Sequence, residues 1–191
     1  MIRVVLIEDD LDFCYLINNT IKQADDIMLL AIYNNAKDVL ENISSLDFDI
    51  VLGDLSLTQN NFDGIEVIKQ VRLLTNCKAI ILSSFENPEI VIDASTKSFS
   101  SAYIFKSQFN ILLETIRSCY YGHNPQEHLI QNTILQKLSN AELSVFKMIL
   151  NQEVQLLSSN KTIANQKTSI LKKLDLKNQK ELQHLFKNYG L

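Results

Sequence analysis

Residues 2–10 read IRVVLIEDD and residues 49–57 read DIVLGDLSL, and these two stretches decide the fold. Each holds a short, mostly continuous run of apolar, largely branched residues, VVLI at 4–7 and IVLG at 50–53, that stops abruptly at carboxylates. Glu8, Asp9 and Asp10 end the first run, and Asp54 ends the apolar part of the second. Runs of this kind read as strands buried on both faces, which occur where helices cover both sides of a parallel sheet. Working outward, Met28–Ile32, Ala79–Leu82 and Ala102–Phe105 repeat the pattern beside Ile2–Ile7 and Ile50–Gly53. Between the runs, Leu11–Lys22, Ala36–Ile43, Gly64–Leu74, Pro88–Ser98 and Phe109–Tyr121 carry apolar residues three and four apart, the spacing of amphipathic helices. Five β/α repeats predict an α/β domain over residues 1–121, a doubly wound sheet of five parallel strands.

Ligands of such sheets bind outside the carboxyl ends of the strands, so the polar residues that follow the apolar runs are the candidate site. Strand one delivers Glu8, Asp9 and Asp10, strand three Asp54, strand four Ser83 and Ser84, and strand five Lys106. These side chains converge if strands one, three, four and five lie side by side. Clustered carboxylates repel one another, and a hard divalent cation with oxygen ligands relieves that repulsion, which points to Mg2+. Lys106 and a serine hydroxyl could then stabilise charge on a phosphoryl group transferred to a carboxylate. The acids at 8–10 also suit a plainer role, capping the helix that starts at Leu11.

The segment Gly122–His128 breaks the periodicity and reads as a linker, so residues 122–137 are expected to join two domains. Beyond it no strand candidate remains. Leu129–Leu138, Ser139–Asn151, Ser159–Leu174 and Asn178–Tyr189 read as helices, giving a smaller all-α domain over residues 138–191. Ser139 stands three residues before Glu142, and Asn178 three before Glu181, both in the pattern of a reciprocal capping box.

Composition narrows the function. With 46% hydrophobic and 21% charged residues among 191, the chain carries enough apolar side chains for a packed core. The longest apolar stretch, Ile27–Tyr33, is far below the roughly 20 residues of a membrane span, so no membrane association is expected. The Val4–Ile7 run is too short and too quickly followed by acids for a signal peptide, and a cytoplasmic location is expected. Cys14, Cys77 and Cys119 are odd in number and widely spaced, which suggests buried small hydrophobes and neither disulfides nor zinc.

The site residues resemble the receiver domain of bacterial two-component response regulators. The likeness rests on IEDD at 7–10, DIVLGDLSL around Asp54, the Asp63–Gly64 pair, ILSS at 81–84 and YIFK at 103–106. It implies that Asp54 accepts a phosphoryl group from the phosphohistidine of a sensor histidine kinase. It further implies that Mg2+ is held by Asp9, Asp54 and the backbone carbonyl of Ser56, with Glu8 acting through water. Ser83 matches the switch hydroxyl, Lys106 the family's lysine, and Tyr103 the aromatic that changes rotamer on phosphorylation. Three departures stand out: LSLTQNNFDG has no proline and is about two residues longer than usual, Ser107 replaces a frequent proline, and Ser84 replaces a smaller residue.

The tail, LSNAELSVFKMIL at 138–150 and SSNKTIANQKTSILKKLDLKNQKEL at 158–182, resembles the LuxR/NarL-type helix-turn-helix output domain. In that family a helix matching Ser159–Leu174 enters the DNA major groove, so Asn160, Lys161, Thr162, Asn165, Gln166 and Lys167 are the candidate DNA contacts. Lys161 and Lys167 suit phosphates, and the amides of Asn165 and Gln166 suit adenine. The helix after Asn178 matches one used for dimerisation, with Leu182, Leu185 and Phe186 as its apolar face, and a homodimer on activation is implied. Ala164 replaces a common lysine, and the short NQEVQLL at 151–157 replaces a longer scaffold helix.

The leading expectation is therefore a response regulator controlling transcription through promoter DNA, not an enzyme beyond its own phosphotransfer and dephosphorylation. The alternative is a regulator whose degenerate helical domain acts through protein contacts or dimerisation. An enzyme with an aspartate nucleophile is disfavoured, since GxxxxGK[ST] and GxGxxG are absent and Asp54-Leu55-Ser56 lacks the second acid of a DxD site. Charge supports the division. Residues 1–122 hold nine basic and 17 acidic side chains, a balance of -8, whereas residues 139–191 hold eight and four, a balance of +4. The acidic excess lies with the candidate cation site and the basic excess with the candidate DNA reader.

Overall fold

A computed structural model describes residues 1–57, 63–152 and 159–187. The chain divides into two compact units, Met1–Ile130 and Gln131–Leu191. In the first unit, strands β1 (Ile2–Ile7), β2 (Ile27–Tyr33), β3 (Ile50–Gly53), β4 (Lys78–Ser83) and β5 (Ala102–Phe105) form one parallel sheet in the order β2-β1-β3-β4-β5. Helices α1 (Leu11–Ile21), α2 (Ala36–Asn42), α3 (Asp63–Leu74), α4 (Pro88–Ser98) and α5 (Leu112–Tyr121) connect and flank the strands. The strand order reverses direction between β1 and β3, which opens a crevice at their carboxyl ends.

Alternation along each strand sends side chains to two separate cores. Val4, Leu6, Ile50, Leu52, Ile80, Leu82 and Ile104 pack beneath α1 and α5 residues such as Ile17 and Ile116. Val5, Ile7, Val51, Ile81 and Tyr103 pack on the other face with Val39, Val67, Ile68 and Ala94 of α2, α3 and α4. All four residues of β3 are buried, as the unbroken apolar run predicts for a central strand. The edge strand β2 differs from that expectation. Its residues alternate between covered and open, Met28, Leu30 and Ile32 are exposed, and its register with β1 shifts between Val4 and Val5. A bulge of that kind bends an edge strand out of the flat geometry that invites further pairing.

Gly64 is fixed by packing. A Cβ at this position would lie 2.0 Å from the carbonyl oxygen of Asp54 and 2.8 Å from Leu55. The first turn of α3 thus sits directly on the chain that carries Asp54.

Two local expectations are corrected. The helix expected from Phe109 starts as a 3-10 segment, Lys106–Ile111, and becomes α5 only at Leu112. The break expected over Gly122–His128 ends early, because α6 (Pro125–Leu135) begins at Pro125. Asn124 accepts the Gln126 N–H at 3.0 Å through Oδ1, and Pro125 takes the first helical position, where its missing N–H costs nothing.

The second unit contains α7 (Asn140–Ile149), α8 (Asn160–Lys173) and α9 (Gln179–Phe186). Ser139 and Glu142 form the expected capping box, with the Ser139 N–H donating to Oε2 at 2.7 Å. The second capping box is not reciprocal. Asn178 Oδ1 accepts the Glu181 N–H at 3.0 Å, but the Glu181 carboxylate takes the Lys177 N–H, one residue too early. Phe146 and Phe186 meet edge to face at 5.1 Å in the core of this unit. Leu182 and Phe186 are buried there, so the apolar face expected to serve dimerisation is largely consumed by the unit's own packing, with only Leu185 partly open. Most of NQEVQLL lies outside the described residues, as does the lengthened part of LSLTQNNFDG.

Candidate functional site

The crevice between β1 and β3 gathers the acids. Glu8 and Asp9 follow the last residue of β1, Asp54 follows the last residue of β3, and one carboxylate oxygen from each lies within 4.8 Å of the others. Asp9 is exposed, while Glu8 and Asp54 are buried. Asp10 takes no part in this group. Its Oδ1 accepts the N–H groups of Asp12 and Phe13 at 2.9 and 3.1 Å and caps α1, so the capping role read for the acidic run falls to Asp10 and leaves Glu8 and Asp9 to the crevice.

Lys106 enters from the end of β5. Its ammonium donates to Asp54 Oδ2 and Glu8 Oε1, each at 2.9 Å, and sits 4.5 Å from the centre of the Phe13 ring. Although Nζ also lies 2.7 Å from Glu8 Oε2, that approach lacks hydrogen-bond geometry, and Oε2 is buried without a donor. Burial, with the Asp54 charge, raises the Glu8 carboxyl to about 7 against the pull of Lys106. Burial lowers the Lys106 pKa, but Glu8 and Asp54 outweigh it and the net change is upward.

These residues fit a divalent cation. A buried carboxylate oxygen without a donor, two further carboxylates within reach and an all-oxygen donor set are what Mg2+ uses. Ser56, two residues after Asp54 and half-buried, is the fourth expected contributor. The second Asp54 oxygen accepts the Leu55 N–H at 2.6 Å, which fixes the carboxylate plane.

Ser83 and Tyr103 lie on the neighbouring strands. Ser83 is fully buried, and its Oγ accepts the Phe85 N–H at 3.4 Å. The Tyr103 ring is buried with its hydroxyl donating to the Phe85 carbonyl at 2.8 Å, and burial pushes the phenol pKa up, with the Asp54 charge adding to it and a bond to Ser83 opposing it. Beside them, the Ser107 hydroxyl donates to Glu86 at 2.7 Å, tying the β5 exit to the loop after β4. Ser84, next to Ser83, is exposed. Neither Phe13 nor the Glu86–Ser107 bridge is marked in the sequence; nothing in their spacing distinguishes them from ordinary core and loop residues.

A family model described as the response regulator receiver domain matches residues 4–117. The chain belongs to this family. The response regulator protein VraR of Staphylococcus saprophyticus is 24% identical to this receiver chain over 160 residues, spanning 82% of it and 74% of VraR. The Fimbriae Z protein of Salmonella typhimurium is 25% identical over 176 residues, 83% of each chain. Among solved structures, the Salmonella typhimurium RcsB response regulator superposes with a TM-score of 0.58 at 21% identity, covering 98% of this chain and 97% of RcsB. A structure of an RcsB–DNA complex gives 0.59 at 20%, with 99% of both chains covered. At such identities the structural matches speak to fold: a receiver followed by a helical region.

In the second unit, the candidate DNA contacts all fall within the first eight residues of α8. Asn160, Lys161, Thr162 and Asn165 are exposed, and Gln166 and Lys167 are partly so. Thr162 also supports the helix start, its N–H donating to Ser159 Oγ at 3.3 Å. Ile170, one turn after the partly covered Gln166 and Lys167, is buried. The buried Glu142 binds Ser169 at 2.7 Å and Lys173 at 2.6 Å, fastening α8 to α7.

Proposed function

We propose that this receiver is switched by phosphorylation of Asp54 by a sensor histidine kinase, and that the switch controls transcription through DNA contacts made by α8. The observation that carries the reading is the Lys106 ammonium, held at 2.9 Å from both Asp54 and Glu8 in a crevice shared with Asp9. An Asp54 carboxylate oxygen attacks the phosphorus of a phosphohistidine; the P–O bond forms, the P–N bond breaks, and the electron pair leaves with the imidazole nitrogen. Lys106 and the Ser83 hydroxyl stabilise charge on the phosphoryl oxygens. Glu8 through water, Asp9, Asp54 and the Ser56 carbonyl would hold Mg2+, whose charge offsets that of the phosphoryl group. Ser83 drawn toward Asp54 leaves room beside Tyr103, which favours the buried ring and shifts a two-state equilibrium. Beyond its own phosphotransfer and dephosphorylation the chain is not an enzyme.

Activation promotes a homodimer, and the exposed amides and lysines of α8 bind promoter DNA. RcsB, which superposes over 99% of this chain, has been solved with DNA. The expected location is the cytoplasm; among the described residues no helix is long and apolar enough to cross a membrane. Two measurements test the reading. Beryllofluoride should bind in the presence of Mg2+ and lose binding in Asp54→Ala, and failure of the wild type to bind rejects phosphorylation. DNA retention should fall steeply with salt and weaken in Lys161→Ala and Lys167→Ala. Salt-insensitive capture of a protein, with no DNA retention, would instead favour an output domain acting through protein contacts.

A further inference from the structure

Asn124, Gln126 and Glu127 lie at the open edge of β5, and together they close it. The Tyr103 N–H points away from β4 and donates to Gln126 Oε1 at 2.9 Å. Two residues earlier the Ser101 carbonyl, on the same edge, accepts from Asn124 Nδ2 at 2.9 Å. Side chains of the α6 start thus continue the sheet's hydrogen bonding where a sixth strand would lie. Glu127 completes the contact, with Oε2 2.8 Å from Lys78 Nζ at the start of β4 and Oε1 accepting the Ser101 hydroxyl at 3.0 Å. Asn124 is buried, and its Nδ2 also lies 3.1 Å from Cys119 Sγ at the end of α5.

This contact takes hold of one particular residue. Tyr103 is gripped at both ends, its backbone by Gln126 and its hydroxyl by the Phe85 carbonyl two residues after Ser83. A change in the β4 exit that moves the Tyr103 side chain therefore acts on a peptide group whose partner is the first turn of α6, and α6 runs without a break to Leu135.

The geometry points to Asn124, Gln126 and Glu127 as a latch by which the state of the phosphoryl site is passed to α6. This inference rests on the proposed phosphorylation of Asp54. In this structure the buried Tyr103 ring and the closed latch occur together; with the two coupled as proposed, a ligand that favours the buried ring favours the closed latch. By thermodynamic reciprocity, a latch that cannot close weakens binding of that ligand by the same factor. Gln126 is a positioning residue: it lies on the sheet edge and acts only through Tyr103.

The test uses the full chain with Mg2+ and beryllofluoride, read by calorimetry and by amide hydrogen exchange. In the wild type, beryllofluoride should slow exchange over residues 101–104 and 124–130 by at least about threefold. Gln126→Ala should abolish that slowing and weaken beryllofluoride binding about fivefold, at the lower end of ordinary coupling strengths. Gln126→Glu, which keeps an acceptor oxygen for the Tyr103 N–H, should retain near wild-type affinity and the slowing, an outcome that mere packing at this position does not predict. If beryllofluoride binds in an Asp54-dependent way while Gln126→Ala keeps affinity within twofold and exchange over 124–130 is unmoved, the latch is rejected and the phosphorylation reading stands. Absence of binding in the wild type rejects both.

Discussion

Replacing Glu142 by Gln removes one negative charge from the junction of α7 and α8, where Lys173 and Ser169 both hold it. The carboxylate is buried, which alone would raise its pKa, but the Lys173 ammonium, the Ser139 amide and the Ser169 hydroxyl outweigh burial and hold it at about 2. Relative to the ordinary 4.5, at about 1.4 kcal/mol per pH unit, the ionised form contributes roughly 3 kcal/mol. Lys173 is 40% exposed, so solvent screening reduces this to about 2 kcal/mol. The folded pKa lies below the unfolded one. The contribution is therefore complete above about pH 5 and fades as pH falls from 4.5 toward 2, leaving under about 1 kcal/mol at pH 3. For a unit of this size, about 2 kcal/mol lowers the melting temperature by about 10 °C. Differential scanning calorimetry of the full chain at pH 7 and pH 3, following the transition of the helical unit, reads both numbers. A Glu142→Gln chain that melts within about 2 °C of wild type at pH 7, or a difference that does not shrink between pH 7 and pH 3, would show that the Glu142 charge does not hold α8 to α7. DNA retention should fall with that transition, because the same carboxylate anchors the helix carrying Lys161 and Lys167.

Other perturbations have equally specific outcomes. Gly64→Ala forces a methyl group against the Asp54 carbonyl, and should destabilise the receiver by about 3 kcal/mol or more in urea unfolding, with loss of beryllofluoride binding in any folded fraction. Phe146→Ala empties the centre of the helical unit and removes the edge-to-face contact with Phe186; a loss of about 3–5 kcal/mol is expected by calorimetry, with the receiver transition unmoved. Cys14, Cys77 and Cys119 are buried, and burial pushes the Cys119 thiol to about 11, so thiol titration of the native chain at pH 8 should be slow, with all three reacting promptly in denaturant.

Much of the receiver is legible in the chain because its signals are local. An apolar run that ends in carboxylates states both a buried strand and where its functional end lies, and β1 with Glu8 and Asp9, or β3 with Asp54, needed nothing more. Edges and junctions were harder. The alternation in β2 follows from its place at the sheet edge, which no residue within Ile27–Tyr33 announces. Asn124–Pro125 was legible in principle as a cap followed by a first-turn proline, but the same pair with Gly122 nearby also spells a turn, and only packing on β5 decides between them. Leu182 and Phe186 show the converse ambiguity: an apolar helix face looks identical in sequence whether it meets a second copy or Phe146 of its own unit.

The start of α6 also bears on how such chains exchange parts. By composition, the natural place to join a receiver to a different output unit is the Gly122 region. A graft made there would supply the incoming helix without Gln126 and Glu127, leaving the Tyr103 amide and Lys78 facing water and the β5 edge open to strands of other chains. The transferable receiver runs on through the first turn of the helix, and a chimaera cut after Ile130 carries its own seal with it.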